Sequence, residues 1–294
     1  MKLATAAYPL DPVTRWSDYA EKIGSWVAEA AGQGAELLVF PEYGAMELAT
    51  LAGADSAADS ESCQRTVSEL LPDVDALHAE LARQFGVHVC AASAPVFDPA
   101  FGERPVNRAR LFTPSGAMGV QDKQIMTRYE REAMDVVPGG PLRLFETALG
   151  RIGILTCYDA EFPLFARALR DADVILVPSC TEALSGYWRV RIGAMARALE
   201  TQCVTVMASL VGAFPACPHV DENTGTGGIF GPPDTGFPET GVIAEGALNS
   251  PGWTFAEIDR AAIAHVRADG RVLGQVHWSE QDGRSDRAMP EVLR

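Results

Sequence analysis

The chain has 294 residues, 47% hydrophobic and 21% charged, an ordinary globular composition. Its formal net charge of −15 argues against a nucleic-acid partner, because phosphate contacts need a basic face. No run of about 18 apolar residues predicts a membrane span, and the N-terminus lacks the long apolar segment of a secretory signal, so a cytoplasmic location is expected. The six cysteines form no CxxC pair and show no zinc-site spacing with histidine, so they read as reduced thiols and no metal is expected.

Strand-like and helix-like segments alternate. Leu3–Ala7 reads as a first strand ending at Pro9, and Trp16–Gly32 has helical apolar spacing. Glu36–Phe40 (ELLVF) is a strand closed by Pro41. Asp55–Ser62, rich in Ala, Ser and Asp, reads as a mobile surface loop. Val67–Phe85 is helical and ends at Gly86, and Val87–Ala92 is again strand-like. Ala109–Thr113 and Ala117–Gln121 flank a Pro-Ser-Gly turn, a hairpin signal. Ile152–Leu155 is a short apolar run that suggests a buried strand, followed by a helix over Leu164–Arg170 and a strand over Val174–Val177. Tyr187–Glu200 is a long helix in which Trp188 is expected to pack against a sheet. Cys203–Ala208 is a strand, Gly225–Gly241 a loop with short strands, Phe255–Ile258 a late strand and Ala261–Ala268 a last helix. The alternation predicts a layered α/β fold around a single core. Residues 1–275 are read as the domain and 276–294 as a polar C-terminal tail.

Chemistry-bearing residues recur just past strands. Pro41-Glu42 follows ELLVF, Asp122-Lys123 follows Ala117–Gln121, and Cys157 follows the Ile152–Leu155 run. The carboxyl end of a strand before a helix is a usual place for chemistry in α/β sheets. Each residue also has an ordinary reading: Glu42 as a solvated loop acid, Lys123 as a surface charge, Cys157 as core filler. Cys90, Cys180 and Cys203 lie in apolar runs and read as core.

Taken together, the motifs LLVFPE, DKQIM and GRIGILTCYDAEFP resemble those of the nitrilase superfamily of carbon–nitrogen hydrolases, from about Leu3 to about Ile258. VILVPS before Cys180, Asn107, and the stretch from Trp188 to Gln202 resemble it too. The resemblance implies a four-layer α-β-β-α sandwich of two mixed β-sheets, commonly assembled as a homodimer or a higher homo-oligomer, and hydrolysis of a small amide without a cofactor. It implies Cys157 as nucleophile, Glu42 as general base, and Lys123 with the Tyr158 N–H as oxyanion donors. A second glutamate is implied between the lysine and Pro138-Gly139. Spacing back from Pro-Gly favours Glu132, while distance from Lys123 leaves Glu130 open. Tyr43, Tyr129, Tyr158 and Thr181 are expected around the substrate. Glu161 stands where many amidase-like relatives carry an aromatic residue or Arg. It would favour a cationic or neutral substrate if it faces the pocket, and otherwise would pair with an Arg such as Arg167. Cys-Tyr-Asp resembles the amidase-type members; nitrile or N-carbamoyl cleavage, acyl transfer, and a non-catalytic binding protein of the same fold are the alternatives.

Overall fold

The computed structural model describes residues 1–284 and 291–292. In chain order the first half comprises β1 (Lys2–Pro9), α1 (Trp16–Gly32), β2 (Leu37–Val39), α2 (Ala54–Ala58), α3 (Ser60–Phe85), β3 (His88–Val96), β4 (Val106–Phe112), β5 (Met118–Asp122) and α4 (Arg128–Glu132). The second half comprises β6 (Leu144–Thr147), β7 (Gly150–Ile154), α5 (Pro163–Ala168), β8 (Val174–Ser179), α6 (Leu184–Thr201) and β9 (Val204–Ala213). It closes with β10 (Glu222–Asn223), β11 (Gly228–Phe230), β12 (Val242–Glu245), β13 (Gly252–Glu257), α7 (Arg260–Asp269) and α8 (Gly274–His277). α8 starts just before the expected tail boundary, a 3₁₀ turn over Trp278–Gln281 follows within the tail, and part of that tail lies outside the described residues.

The pairings give two mixed sheets. One runs β5-β4-β3-β2-β1 with β13 beside β1; the other runs β6-β7-β8-β9 with β11 and β12 beyond. They join where Ala7–Pro9 of β1 pair with Ser209–Val211 of β9.

Strand periodicity explains the layers. Side chains alternate between sheet faces. Leu37 and Val39 of β2 and Val174 and Leu176 of β8 enter one apolar cluster between the sheets. Leu38 of β2 turns the other way, to Ile23 and Val27 of α1 and Val67 and Val74 of α3. Ile175 and Val177 of β8 likewise turn to Val190 and Ala194 of α6. Three apolar clusters therefore replace the single core expected from the sequence, and three interfaces make four layers. Strands buried on both faces read as continuous apolar runs, so the chain hides which residue belongs to which cluster.

Two local expectations are corrected. Asp55–Ser62 is not a loop: α2 and the start of α3 occupy it, with the Asp59 carboxylate accepting the Ser62 N–H at 2.8 Å as an N-cap. Burial of Cys63 and Val67 holds that extra helical turn down. Trp188 does not pack on a sheet. It is 47% exposed on α6 and lies near the Arg191 guanidinium, while its neighbours Tyr187 and Val190 face inward. No helix among the described residues is long and apolar enough to cross a membrane.

Direction positions the site. β1, β2 and β3 pair in parallel, as do β1 with β9, β9 with β8 and β8 with β7. β4 runs against β3 and β5 against β4, so β5 also points the same way. The segments after β2, β5, β7 and β8 consequently emerge at one edge, which brings Glu42, Lys123, Cys157 and Cys180 together.

Candidate active site

Glu42 is 1% exposed, and its carboxylate is fully engaged. Oε1 accepts from Lys123 Nζ at 2.8 Å and Asn107 Nδ2 at 2.9 Å, and Oε2 from the Cys180 N–H at 3.0 Å. Lys123, also 1% exposed, donates in addition to Glu130 Oε2 at 2.7 Å. Glu130 accepts from the Tyr43 hydroxyl at 2.8 Å and from the Thr127 N–H at 2.9 Å. Thr127 caps α4 and Glu130 completes its capping box, so a short helix start aims this carboxylate inward.

Only one of the two glutamates, Glu130, reaches Lys123. Glu132, the residue favoured by spacing, points outward and pairs with Arg128, itself 87% exposed, at 2.9 Å. On a one-turn helix, residues two apart face opposite sides, so only one of the pair can reach the lysine. The sequence spacing from Pro138-Gly139 reflects something else. A Cβ on Gly139 would stand 2.1 Å from Asp122 Cβ, so that backbone must pass tightly beside the residue preceding Lys123.

Cys157 lies at the start of a 3₁₀ turn with a φ of 51°, and Tyr43 follows Glu42 with a φ of 55°. Left-handed backbone at a non-glycine residue costs of order 1–3 kcal/mol and persists only where the surroundings impose it. Here α6 is part of that surrounding: Gly193 brings the helix so close that a Cβ would lie 2.7 Å from the Ala160 carbonyl oxygen. The Cys157 thiol faces the Cys180 carbonyl, Sγ to O 3.7 Å, and interacts with Glu42. The Tyr158 N–H is left without a backbone acceptor among the described residues.

The electrostatics follow from burial and one excess negative charge. Burial, with Glu130 adding to it against the opposing pull of Lys123, pushes the Glu42 carboxyl above its usual range. Burial acts against the Lys123 ammonium, but Glu130 and Glu42 overcome it and hold its pKa well above the ordinary value. Glu130 is depressed, since Lys123 and its hydrogen bonds outweigh its own burial. Burial and the neighbouring Glu42 push the Cys157 thiol well up, so it rests protonated.

Asp159, which sequence reasoning passed over, ties the two halves of the site. Its buried carboxylate accepts the Gln124 N–H at 3.0 Å and the Ile125 N–H at 2.9 Å, clamping the lysine loop onto the cysteine turn. Burial pushes its pKa up to about 7 against the opposing effects of Lys123 and those N–H groups. The folded state thus keeps a proton that the unfolded chain releases near pH 4. This contribution to stability is full at low pH and is lost as pH rises toward about 7. Thermal unfolding of wild type and Asp159→Asn should show it: the wild type loses stability relative to the variant between about pH 4 and 7, and the gap is constant above. A gap unchanged across that window would mean that Asp159 does not titrate there.

Glu42, Lys123, Glu130 and Cys157 line a cavity of about 430 Å³, the size of a small-molecule pocket, together with Tyr43, Tyr129, Tyr158, Glu161 and Thr181. Cys180, expected in the core, also reaches it. Tyr43 is tied to Glu130, and Thr181 Oγ1 donates to the Thr224 carbonyl at 2.7 Å. Glu161 does reach the cavity, yet it is paired with Arg189 at 3.3 Å; Arg167 instead meets Asp282. Neither Asp159 nor Arg189 could be placed from the sequence, because their partners lie 34 and 28 residues away. Among the described residues no group of three or more His, Cys, Asp and Glu side chains is arranged to hold a metal.

The fold and sequence have relatives. A carbon–nitrogen hydrolase from Helicobacter pylori G27 superposes with a TM-score of 0.72 at 18% identity, covering 91% of this chain and 92% of its own. Nit3 of Saccharomyces cerevisiae, of branch 10 of the nitrilase superfamily, gives 0.70 at 18% identity, covering 91% and 93%. A probable hydrolase of Bacillus subtilis strain 168 is 30% identical over 274 residues, 92% of this chain and 52% of that protein. A deaminated glutathione amidase of Yersinia enterocolitica is 33% identical over 151 residues, 47% of this chain and 52% of that one. The matched stretch thus spans about half the length of these two relatives. Comparison with protein families matches the carbon-nitrogen hydrolase family over residues 3–280, and with that extent the chain belongs to it.

Proposed function

We propose that this protein hydrolyses the carbon–nitrogen bond of a small amide through a Cys157 thioester, releasing a carboxylic acid and ammonia or an amine. The observation that carries the reading is the buried Glu42–Lys123–Glu130 cluster facing a thiol in a cavity. Because Cys157 rests protonated, its proton leaves as the bond to the carbonyl carbon forms, and Glu42 takes it. The negative charge developing on the carbonyl oxygen is met by the Lys123 ammonium and the Tyr158 N–H. Glu42 then returns the proton to the departing nitrogen, and the C–N bond breaks. A water attacks the thioester, gives its proton to Glu42, and the acid leaves as Cys157 recovers a proton. Glu130 holds Lys123 and balances its charge; it does not take part in proton transfer. The test is a panel of small primary amides read by ammonia release, with mass detection of an acyl adduct on Cys157. No turnover and no adduct across amides, carbamoyl compounds and nitriles would remove the hydrolase reading in favour of a binding protein.

Pairing of two copies belongs to the same reading. Leu184, Trp188 and Ile192 form an exposed apolar stripe along α6, at helical spacing, which a second copy would cover. Sedimentation of Ile192→Glu should show a smaller species than the parent, and a monomeric parent would remove the idea.

A further inference from the structure

The lining of the cavity has a charge of its own. It carries six carboxylates, Glu42, Glu130, Glu161, Glu182, Asp221 and Glu222, against two cations, Lys123 and Arg189. Both cations are already spent. Lys123 is enclosed by Glu42 and Glu130 at 2.8 and 2.7 Å, and Arg189 meets Glu161 at 3.3 Å. Glu182, Asp221 and Glu222 are exposed at the wall and have no cationic partner among the described residues. Asp221 and Glu182 stand close enough to Tyr129, another lining residue, to act on its hydroxyl alongside its burial. His219 is no counter-charge, since burial keeps it neutral and its ring nitrogens are engaged by Tyr129 and Ser60. The buried reacting end and the acidic wall therefore face the same space.

We propose that the substrate is an amide bearing a cationic group, an ammonium or guanidinium, which Glu182, Asp221 and Glu222 receive while the amide lies at Cys157. The assignment rests on the amide-hydrolase reading. An anionic substrate would find no unpaired cation in the cavity and would face several like charges, a repulsion that is strongest at low salt. A neutral substrate would gain nothing from the wall. The feature that selects is thus displaced from Glu161, which Arg189 neutralises, to the three unpaired carboxylates.

Two measurements test it independently. The first needs no turnover: Cys157 is modified by cationic, neutral and anionic methanethiosulfonates, followed by mass mapping, with each rate divided by that for 2-mercaptoethanol. The normalised cation-to-anion ratio should be about tenfold or more at low salt. It should fall several-fold in a Glu182→Gln, Asp221→Asn, Glu222→Gln triple variant and in high salt. The second compares 6-aminohexanamide, heptanamide and adipamic acid, matched in length, by kcat/KM. The cationic amide should lead and the anionic one trail, with the spread reduced in the triple variant. A normalised ratio near one, or an amide series without charge order, overturns the proposal. Charge-ordered modification with no amide hydrolysed would instead sink the hydrolase reading and leave the cationic preference of the cavity standing.

Discussion

Replacing Cys157 by alanine should abolish amide turnover, a loss of at least about 10³-fold, because no other thiol in the cavity presents its sulfur to Glu42. Cys180 is the nearest rival, but its thiol donates toward Asn223 Oδ1 at 3.5 Å and only its backbone N–H meets Glu42. Glu42→Gln should fall by about 10²- to 10⁴-fold, the range for loss of a positioned base, while leaving the thiol in place. The two variants differ in a further readout. With the thiol pKa pushed well up by burial and by Glu42, alkylation of Cys157 in the free wild type should keep rising with pH beyond neutrality. In Glu42→Gln one of the causes of that rise is gone, so the alkylation curve should move to lower pH. A plateau below neutral pH in the wild type would mean a preformed thiolate and would overturn the base-assisted attack. Activity retained in Cys157→Ala would overturn the nucleophile itself.

Glu130→Gln and Glu132→Gln should separate by about 100-fold in kcat. Glu130 is 3% exposed and holds Lys123, so its neutralisation leaves the ammonium with Glu42 alone. Glu130 now raises the Glu42 pKa; without that charge, Lys123 pairs more completely with Glu42 and the base weakens. The acid limb of the pH–rate profile should accordingly move to lower pH while the plateau drops. A merely structural role would lower the amount of folded protein without moving that limb. Loss of a buried ion-pair partner also destabilises, by about 3–5 kcal/mol at most, since glutamine keeps part of the hydrogen bonding. Glu132→Gln removes only an exposed i,i+4 pair with Arg128, so activity should stay within about twofold and stability within about 0.5 kcal/mol. Equal effects of the two substitutions would reject the assignment of Glu130.

The family, the motifs and most elements are legible in the chain because they depend on local order: apolar runs for buried strands, helical spacing for α1 and α3, and LLVFPE, DKQIM and GRIGILTCYDAEFP in succession. Strand ends placed Glu42, Lys123 and Cys157 as candidates. Their convergence was decided by strand direction, which depends on pairings such as β1 with β9 across about two hundred residues of chain. That Glu130 rather than Glu132 reaches Lys123 turned on which side of a one-turn helix faces the lysine, and on a capping box that a spacing count from Pro138-Gly139 does not sense. The Asp59 cap and the burial of Cys63 made a helix of a segment whose composition looks like loop. The clamp at Asp159, the pairing of Glu161 with Arg189 and the unpaired acids at the wall belong to tertiary structure for one reason. Charge in a protein acts through space and through exclusion of water, and neither distance nor burial is written in residue order.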